Sequence, residues 1–234
     1  MYKVSALKTS FVILLLNGGM FLNIFAQNDL QLLDLTNYVE FHNPDYGTAQ
    51  SAYHKVTGSP YLYDDFKKGV LVTKNRQRYA GSYRYDIHDQ AMEFRVNGII
   101  YEVKDFLNID TITIGDQPFI YLLAQNKKKD VQGAFYEVLC SGKCLLLARK
   151  RVELIPGRTR QAYAEPRPPH FTRMSDVYFL QTGIRAPQRI TGKKAIKEYL
   201  ADHEQEVAEY IRRHRISMRK PYELSALIDY YNRL

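Results

Sequence analysis

Two cysteines, six histidines and a dense run of basic side chains are the groups in this 234-residue chain best equipped for chemistry. Cys140 and Cys144 flank Ser141, Gly142 and Lys143, a three-residue loop suited to a hairpin, which would set the thiols nearly opposite each other. In an oxidising compartment that makes them a candidate disulfide. Adjacent strands often miss disulfide geometry and free cysteine is a common small core residue, so both readings stay open. A redox-active pair is disfavoured, because that chemistry uses two intervening residues and a helix N-terminus that lowers a thiol pKa. His42, His54, His88, His170, His203 and His214 show none of the short spacings that place two imidazoles on one face for zinc, so no metal is expected. No nucleophile elbow, Walker loop or dinucleotide fingerprint occurs, and no cofactor is expected. Asp64 and Asp65 point apart on any regular element and read as turn or cap residues, not as an acid and base pair.

The remaining candidate is electrostatic. Arg212, Arg213, Arg215, Arg219 and Lys220 concentrate positive charge where two C-terminal helices should meet, and form a candidate anionic-partner site. Arginine near a helix C-terminus is also favoured by the helix dipole, which gives the run a structural explanation beside the functional one.

These groups must be positioned by a region that reads as strands and tight turns, 69–155. Tyr79, Gly81, Tyr83 and Tyr85 share one face of a strand, and Met92, Phe94 and Val96 one face of the next. The pattern predicts strands at Val70–Thr73, Arg78–Ile87, Ala91–Val96, Ile99–Val103, Thr111–Ile114, Pro118–Leu123, Ala134–Cys140 and Cys144–Leu154. Asn97-Gly98 between two alternating runs is a strong hairpin signal, since a type I′ turn needs positive φ at both central positions. His88-Asp89-Gln90 and Gly115-Asp116 mark further turns, and Lys127, Lys128, Lys129 and Asp130 a charged excursion. So many successive hairpins predict an antiparallel meander of about eight strands, curled into a half-open barrel or packed as two layers.

Around this sheet the chain divides further. Segment 27–68 should pack on the sheet, with Tyr61, Leu62, Tyr63 and Phe66 as an aromatic plug. The stretch 156–175, with Pro156, Pro166, Pro168 and Pro169, reads as an extended connector, a polyproline recognition segment being the alternative. Within 176–234 a short hairpin, Val177–Gln181 with Gln188–Ile190, precedes three helices. Thr191 is the expected cap of the first and Asp202 of the second, while Ser217 or Pro221 starts the third. Val207, Tyr210 and Ile211 should line one buried face, and Leu224, Leu227, Ile228 and Tyr231 another. The fold class is therefore α+β, an antiparallel β-meander followed by a small C-terminal helical unit.

Residues 1–26 read as a secretory signal peptide: Lys3 and Lys8 precede an apolar run, Phe11 to Phe25, that is too short and too interrupted to span a bilayer. Removing it takes two lysines and no acid, lowering the formal net charge from +8 to +6. For an exported basic chain the anionic partners within reach are lipid headgroups, acidic polysaccharide and cell-wall polymers, and nucleic acid is not an expected partner. A solvated basic surface would carry the same charge. Tryptophan is absent, which counts against a dedicated sugar-stacking face, although tyrosine can substitute.

Gly58-Ser59-Pro60-Tyr61-Leu62, Asp65-Phe66 with Gly69, Tyr85, Glu93-Phe94, Glu137-Val138-Leu139, Cys144-Leu145-Leu146 and the closing Tyr230-Tyr231-Asn232 carry a resemblance. Over nearly all of the mature chain they resemble exported hypothetical proteins of Bacteroidota. Cys140 departs from that pattern, in which the position of Cys144 is the one commonly cysteine. The resemblance implies an exported two-part architecture, at the periplasm or cell surface of a Gram-negative bacterium, and carries no catalytic residue across. The expected function is a non-enzymatic interaction or scaffolding module for another envelope protein or an anionic polymer. Its rival is a hydrolase of envelope glycan or peptide with residues converging from loops.

Overall fold

The computed structural model describes residues 41–42, 53, 56–104, 106–125, 131–158 and 167–234. The expected signal peptide, most of segment 27–55, the lysine excursion at 127–130 and residues 159–166 lie outside the described residues.

The strands are β1 (Phe41–His42), β2 (Lys67–Thr73), β3 (Arg78–Asp86), β4 (Ala91–Val96), β5 (Ile99–Val103), β6 (Ile109–Ile114), β7 (Gln117–Gln125), β8 (Val131–Cys140), β9 (Cys144–Ile155), β10 (His170–Thr182) and β11 (Gln188–Arg189). They form one continuous antiparallel sheet, ordered β1-β5-β4-β3-β2-β6-β7-β8-β9-β10-β11, that is not closed into a barrel. The turns follow their chemistry: Asn97 and Gly98, joining β4 to β5, have φ of 50° and 82°, as a type I′ turn requires. Gly69 is needed for a different reason, since a Cβ there would lie 2.0 Å from the Thr113 carbonyl oxygen of the neighbouring β6.

The sheet curls on itself. Strands spaced about 4.8 Å apart would put β3 and β8, four places distant in the order, roughly 19 Å apart if flat. Yet the Tyr85 ring on β3 sits 5.7 Å from that of Phe135 on β8 and 5.5 Å from that of Phe119 on β7. The concave interior is a largely aromatic core in which Tyr83, Tyr85, Phe94, Phe119 and Phe135 are essentially inaccessible to water. The segment before β2 stitches the curl. Thr57 bridges His170 at the start of β10, and Tyr61 bridges Asp86 at the end of β3. Leu62 packs on the core, as a plug would, whereas Tyr61 and Phe66 clasp the Arg84 guanidinium at 3.7 and 4.5 Å.

The other end of the sheet is covered by α1 (Lys193–Tyr199), α2 (Glu204–Arg213) and α3 (Pro221–Asn232). Leu146 of β9 and Leu180 of β10 join Val207, Ile211, Leu224, Leu227, Ile228 and Tyr231 in a second core. The helix faces are those the spacing predicts, with Tyr210 only half buried and stacked on Tyr230 at 4.5 Å. No helix among the described residues is long and apolar enough to cross a membrane.

The structure corrects three local expectations. Strand β10 is 13 residues long and begins inside the expected connector, because the sheet resumes directly after the prolines and pairs with β9 from His170 to Thr182. Thr191 does not cap α1, whose N-cap is Gly192 without a side-chain bond. Asp202 does not cap α2, since its carboxylate is held by Lys143 at 2.9 Å and by the Tyr231 hydroxyl, leaving His203 at the N-cap.

Candidate anion-binding site

The site begins with an irregularity in β10. Met174 pairs with Arg151 and Val177 with Arg149, so Ser175 and Asp176 together stand against the single residue Lys150. This β-bulge aims Asp176 at its neighbour. Lys150 lies 2.7 Å from Asp176 and 2.6 Å from Glu137 of β8, and the Gln117 amide of β7 donates to Glu137 at 2.7 Å. The pairing of Phe119 with Glu137, and of Glu137 with Ala148, places Gln117, Glu137 and Lys150 on one face by two-residue alternation. Four strands are thus linked by a mostly buried polar chain in which the charge of Lys150 is fully compensated.

Its sequence neighbours are not compensated in the same way. Arg149 and Arg189 form no ion pair among the described residues, and Arg151 pairs only with the exposed Glu153. Together with Lys150 they line a cavity of about 450 Å³, joined by His88 and Gln90 from the β3–β4 turn and by the apolar Ile87, Val152, Val177 and Phe179. Among the described residues no carboxylate lines it. A volume in the ordinary ligand range, several basic groups and a few apolar walls make a seat for an oxyanion, which guanidinium groups grip bidentately. A second cavity of about 230 Å³ shares Val177 and Arg189 with the first and adds Ser175, Asp176, Tyr178, Ile190, Met218 and Arg219.

The arginine run picked out from the sequence is therefore divided. Arg219 lines the second cavity. Lys220 is neutralised by Glu223 at 2.9 Å, beside the Tyr222 ring. Arg212, Arg213 and Arg215 are exposed and form no ion pair among the described residues, Arg215 lying in the left-handed region with φ 51° just past the end of α2.

Cys140 and Cys144 are free thiols here, the first half-buried and the second buried. The expectation that they face each other is corrected by a second bulge, between Val138 and Cys140, which pairs Cys140 with Leu146. Burial pushes the Cys144 thiol up to about 12, the opposite of an activated nucleophile. Asn232, at the end of α3, clamps this hairpin. Its carbonyl accepts from the Cys144 N–H at 2.8 Å, and its amide donates to the carbonyls of Cys144 at 3.0 Å and Ser141 at 3.3 Å.

Among the described residues burial raises the pKa of two carboxyls, and one of them, Glu93, is paired with Arg84 at 2.7 Å. Burial pushes Asp86 up to about 7, with the nearby Asp89 and Glu93 charges adding to the rise while hydrogen bonds from backbone N–H groups oppose it. Its Oδ1 accepts the Asp89 N–H at 3.0 Å, so it ties the β3–β4 turn, and it lines neither cavity. Among the described residues no three His, Cys, Asp or Glu side chains gather as metal ligands would.

Arg149, Lys150 and Arg151 do not stand out by pattern, since alternating strands routinely carry basic residues towards solvent. Three consecutive basic residues inside a predicted strand were the available signal. No protein-family model, curated protein or solved structure matches this chain.

Proposed function

We propose that this protein is an exported, non-enzymatic binding module that seats an anionic partner in the cavity bounded by β9, β10, β11 and the β3–β4 turn. The observation that carries the reading is the pair Arg149 and Arg189, two guanidinium groups lining a cavity of about 450 Å³, where among the described residues they have no ion-pair partner and no carboxylate joins the wall. The hydrolase alternative would need an acid facing a substrate; of the two carboxyls that burial raises, Asp86 is tied into the β3–β4 turn and Glu93 is paired with Arg84, and neither lines either cavity. Export rests on the Lys3, Lys8 and Phe11–Phe25 pattern, and a periplasmic or surface location would bring acidic envelope polymers within reach. Arg212, Arg213 and Arg215 contribute long-range attraction, and the cavity supplies the specific contact.

Binding of labelled dextran sulfate by fluorescence anisotropy tests this. Affinity should fall steeply with salt, as the Debye length shrinks from about 10 Å at 0.1 M to about 3 Å at 1 M. Arg149→Gln combined with Arg189→Gln should weaken it more than Arg212→Gln, Arg213→Gln and Arg215→Gln together. Salt-insensitive binding, or binding indifferent to the cavity pair, would refute the proposal.

A further inference from the structure

The two cavities differ in chemistry yet share a wall, and that contrast narrows the class of ligand. The charged groups lining the first are all basic among the described residues, and Phe179 gives it an aromatic side. The second is lined by the acid Asp176 and the hydroxyl-bearing Ser175 and Tyr178 together with Arg219. Asp176 spends Oδ2 on Lys150, and no hydrogen bond reaches Oδ1 among the described residues, which leaves an acceptor for a hydroxyl donor. Arg189 and Val177 line both. A ligand reaching across must offer an oxyanion to one side and neutral hydroxyl groups to the other. A uniformly charged chain such as polyphosphate would bring negative charge against Asp176 and supply no donors for it.

Resting on the binding-module reading above, we infer that the ligand is an acidic glycan in which a carboxylated or sulfated sugar is followed by a neutral, hydroxyl-rich one. The acidic unit sits against Arg149 and Arg189. The neutral unit donates to Asp176 and exchanges hydrogen bonds with Ser175 and Tyr178. Specificity then comes from the second cavity, because a site built to pair hydroxyl groups rejects ligands that lack them more strongly than an apolar site could.

Calorimetric titration of the full chain separates the claims, with hyaluronan tetrasaccharide, glucuronate, the neutral tetramer of N-acetylglucosamine and tripolyphosphate as probes. The tetrasaccharide should bind at least tenfold more tightly than glucuronate, and more tightly than tripolyphosphate or the neutral tetramer. Arg189→Gln, at an exposed two-residue edge strand, should weaken it about tenfold. Ser175→Ala with Tyr178→Phe, which leaves every charge and the ring in place, should erase its advantage over tripolyphosphate while leaving tripolyphosphate binding unchanged. Equal affinity for tripolyphosphate and the tetrasaccharide, or no gain from glucuronate to tetrasaccharide, would overturn the glycan inference and leave the binding module standing. Failure of every anionic probe to bind would overturn both.

Discussion

The two ends of the sheet solve the same problem differently. From β2 to β8 the sheet buries its concave face against itself, ring on ring, with Tyr85, Phe119 and Phe135 meeting across strands that a flat sheet would hold far apart. At the end of β9 and β10 that holds Cys144, Leu146 and Leu180, three helices cover the sheet instead, mostly with aliphatic side chains. The curled end is self-sufficient. The helix-covered end depends on docking, and the bulged strand, the compensated Lys150 and the basic cavities lie between it and the β3–β4 turn. Stability and recognition are thus concentrated at different places along one continuous sheet.

The largest expected effect breaks the curl. Phe135 is 1% exposed and its ring meets those of Tyr85, Phe106 and Tyr121 within 6 Å. Phe135→Ala should cost about 3–5 kcal/mol in urea unfolding. Phe179→Ala, at a half-buried position against the cavity, should cost clearly less.

Asp86 sharpens the comparison through pH. Its pKa rises from 3.8 in the unfolded chain to about 7 in the fold, so the native state holds the proton more tightly. Stability from this group falls as pH rises from about 4 to about 7 and is level above that. Asp86→Asn keeps an oxygen for the Asp89 N–H and removes the charge. It should flatten that slope and stabilise the protein at pH 8 by at most about 4 kcal/mol, the equivalent of roughly three pKa units. A steeper fall of stability in the variant would contradict the assignment.

At the helix-covered end Asn232→Ala should cost about 1–3 kcal/mol, since it removes the clamp on the Cys140–Cys144 hairpin and strands a backbone donor at Cys144. Thiol labelling reads the same place: Cys140 should alkylate in the native protein, and Cys144 only on opening. The smallest effect belongs to the exposed run, where Arg212→Gln, Arg213→Gln and Arg215→Gln should each change stability by within about 0.5 kcal/mol. A larger loss in thermal melts would make these arginines part of the helix packing.

What the sequence disclosed follows the strength of local signals. Tyr79, Tyr83 and Tyr85 alternate onto the buried face as expected, the Asn97-Gly98 turn has its two positive φ angles, and Pro221 opens α3 at its first position. The length of β10 was hidden, because prolines precede it and the Ser175–Asp176 bulge breaks its alternation in the middle. The caps misled because a threonine or aspartate before a helix is a local cue, and Asp202 finds stronger partners in Lys143 and Tyr231, both distant in sequence. The cavity was illegible for the same reason. Its walls come from 87–90, 149–152, 177–179 and 189, and only the curl of the sheet brings the β3–β4 turn to β9 and β10.

Amide chemical-shift mapping during titration with hyaluronan tetrasaccharide tests the central claim most directly. The account predicts perturbations concentrated at Arg149–Arg151, Val177–Phe179 and Arg189, with Arg219 affected and Arg212–Arg215 nearly silent. Perturbations confined to Arg212–Arg215, with the β9–β11 residues unmoved, would contradict it.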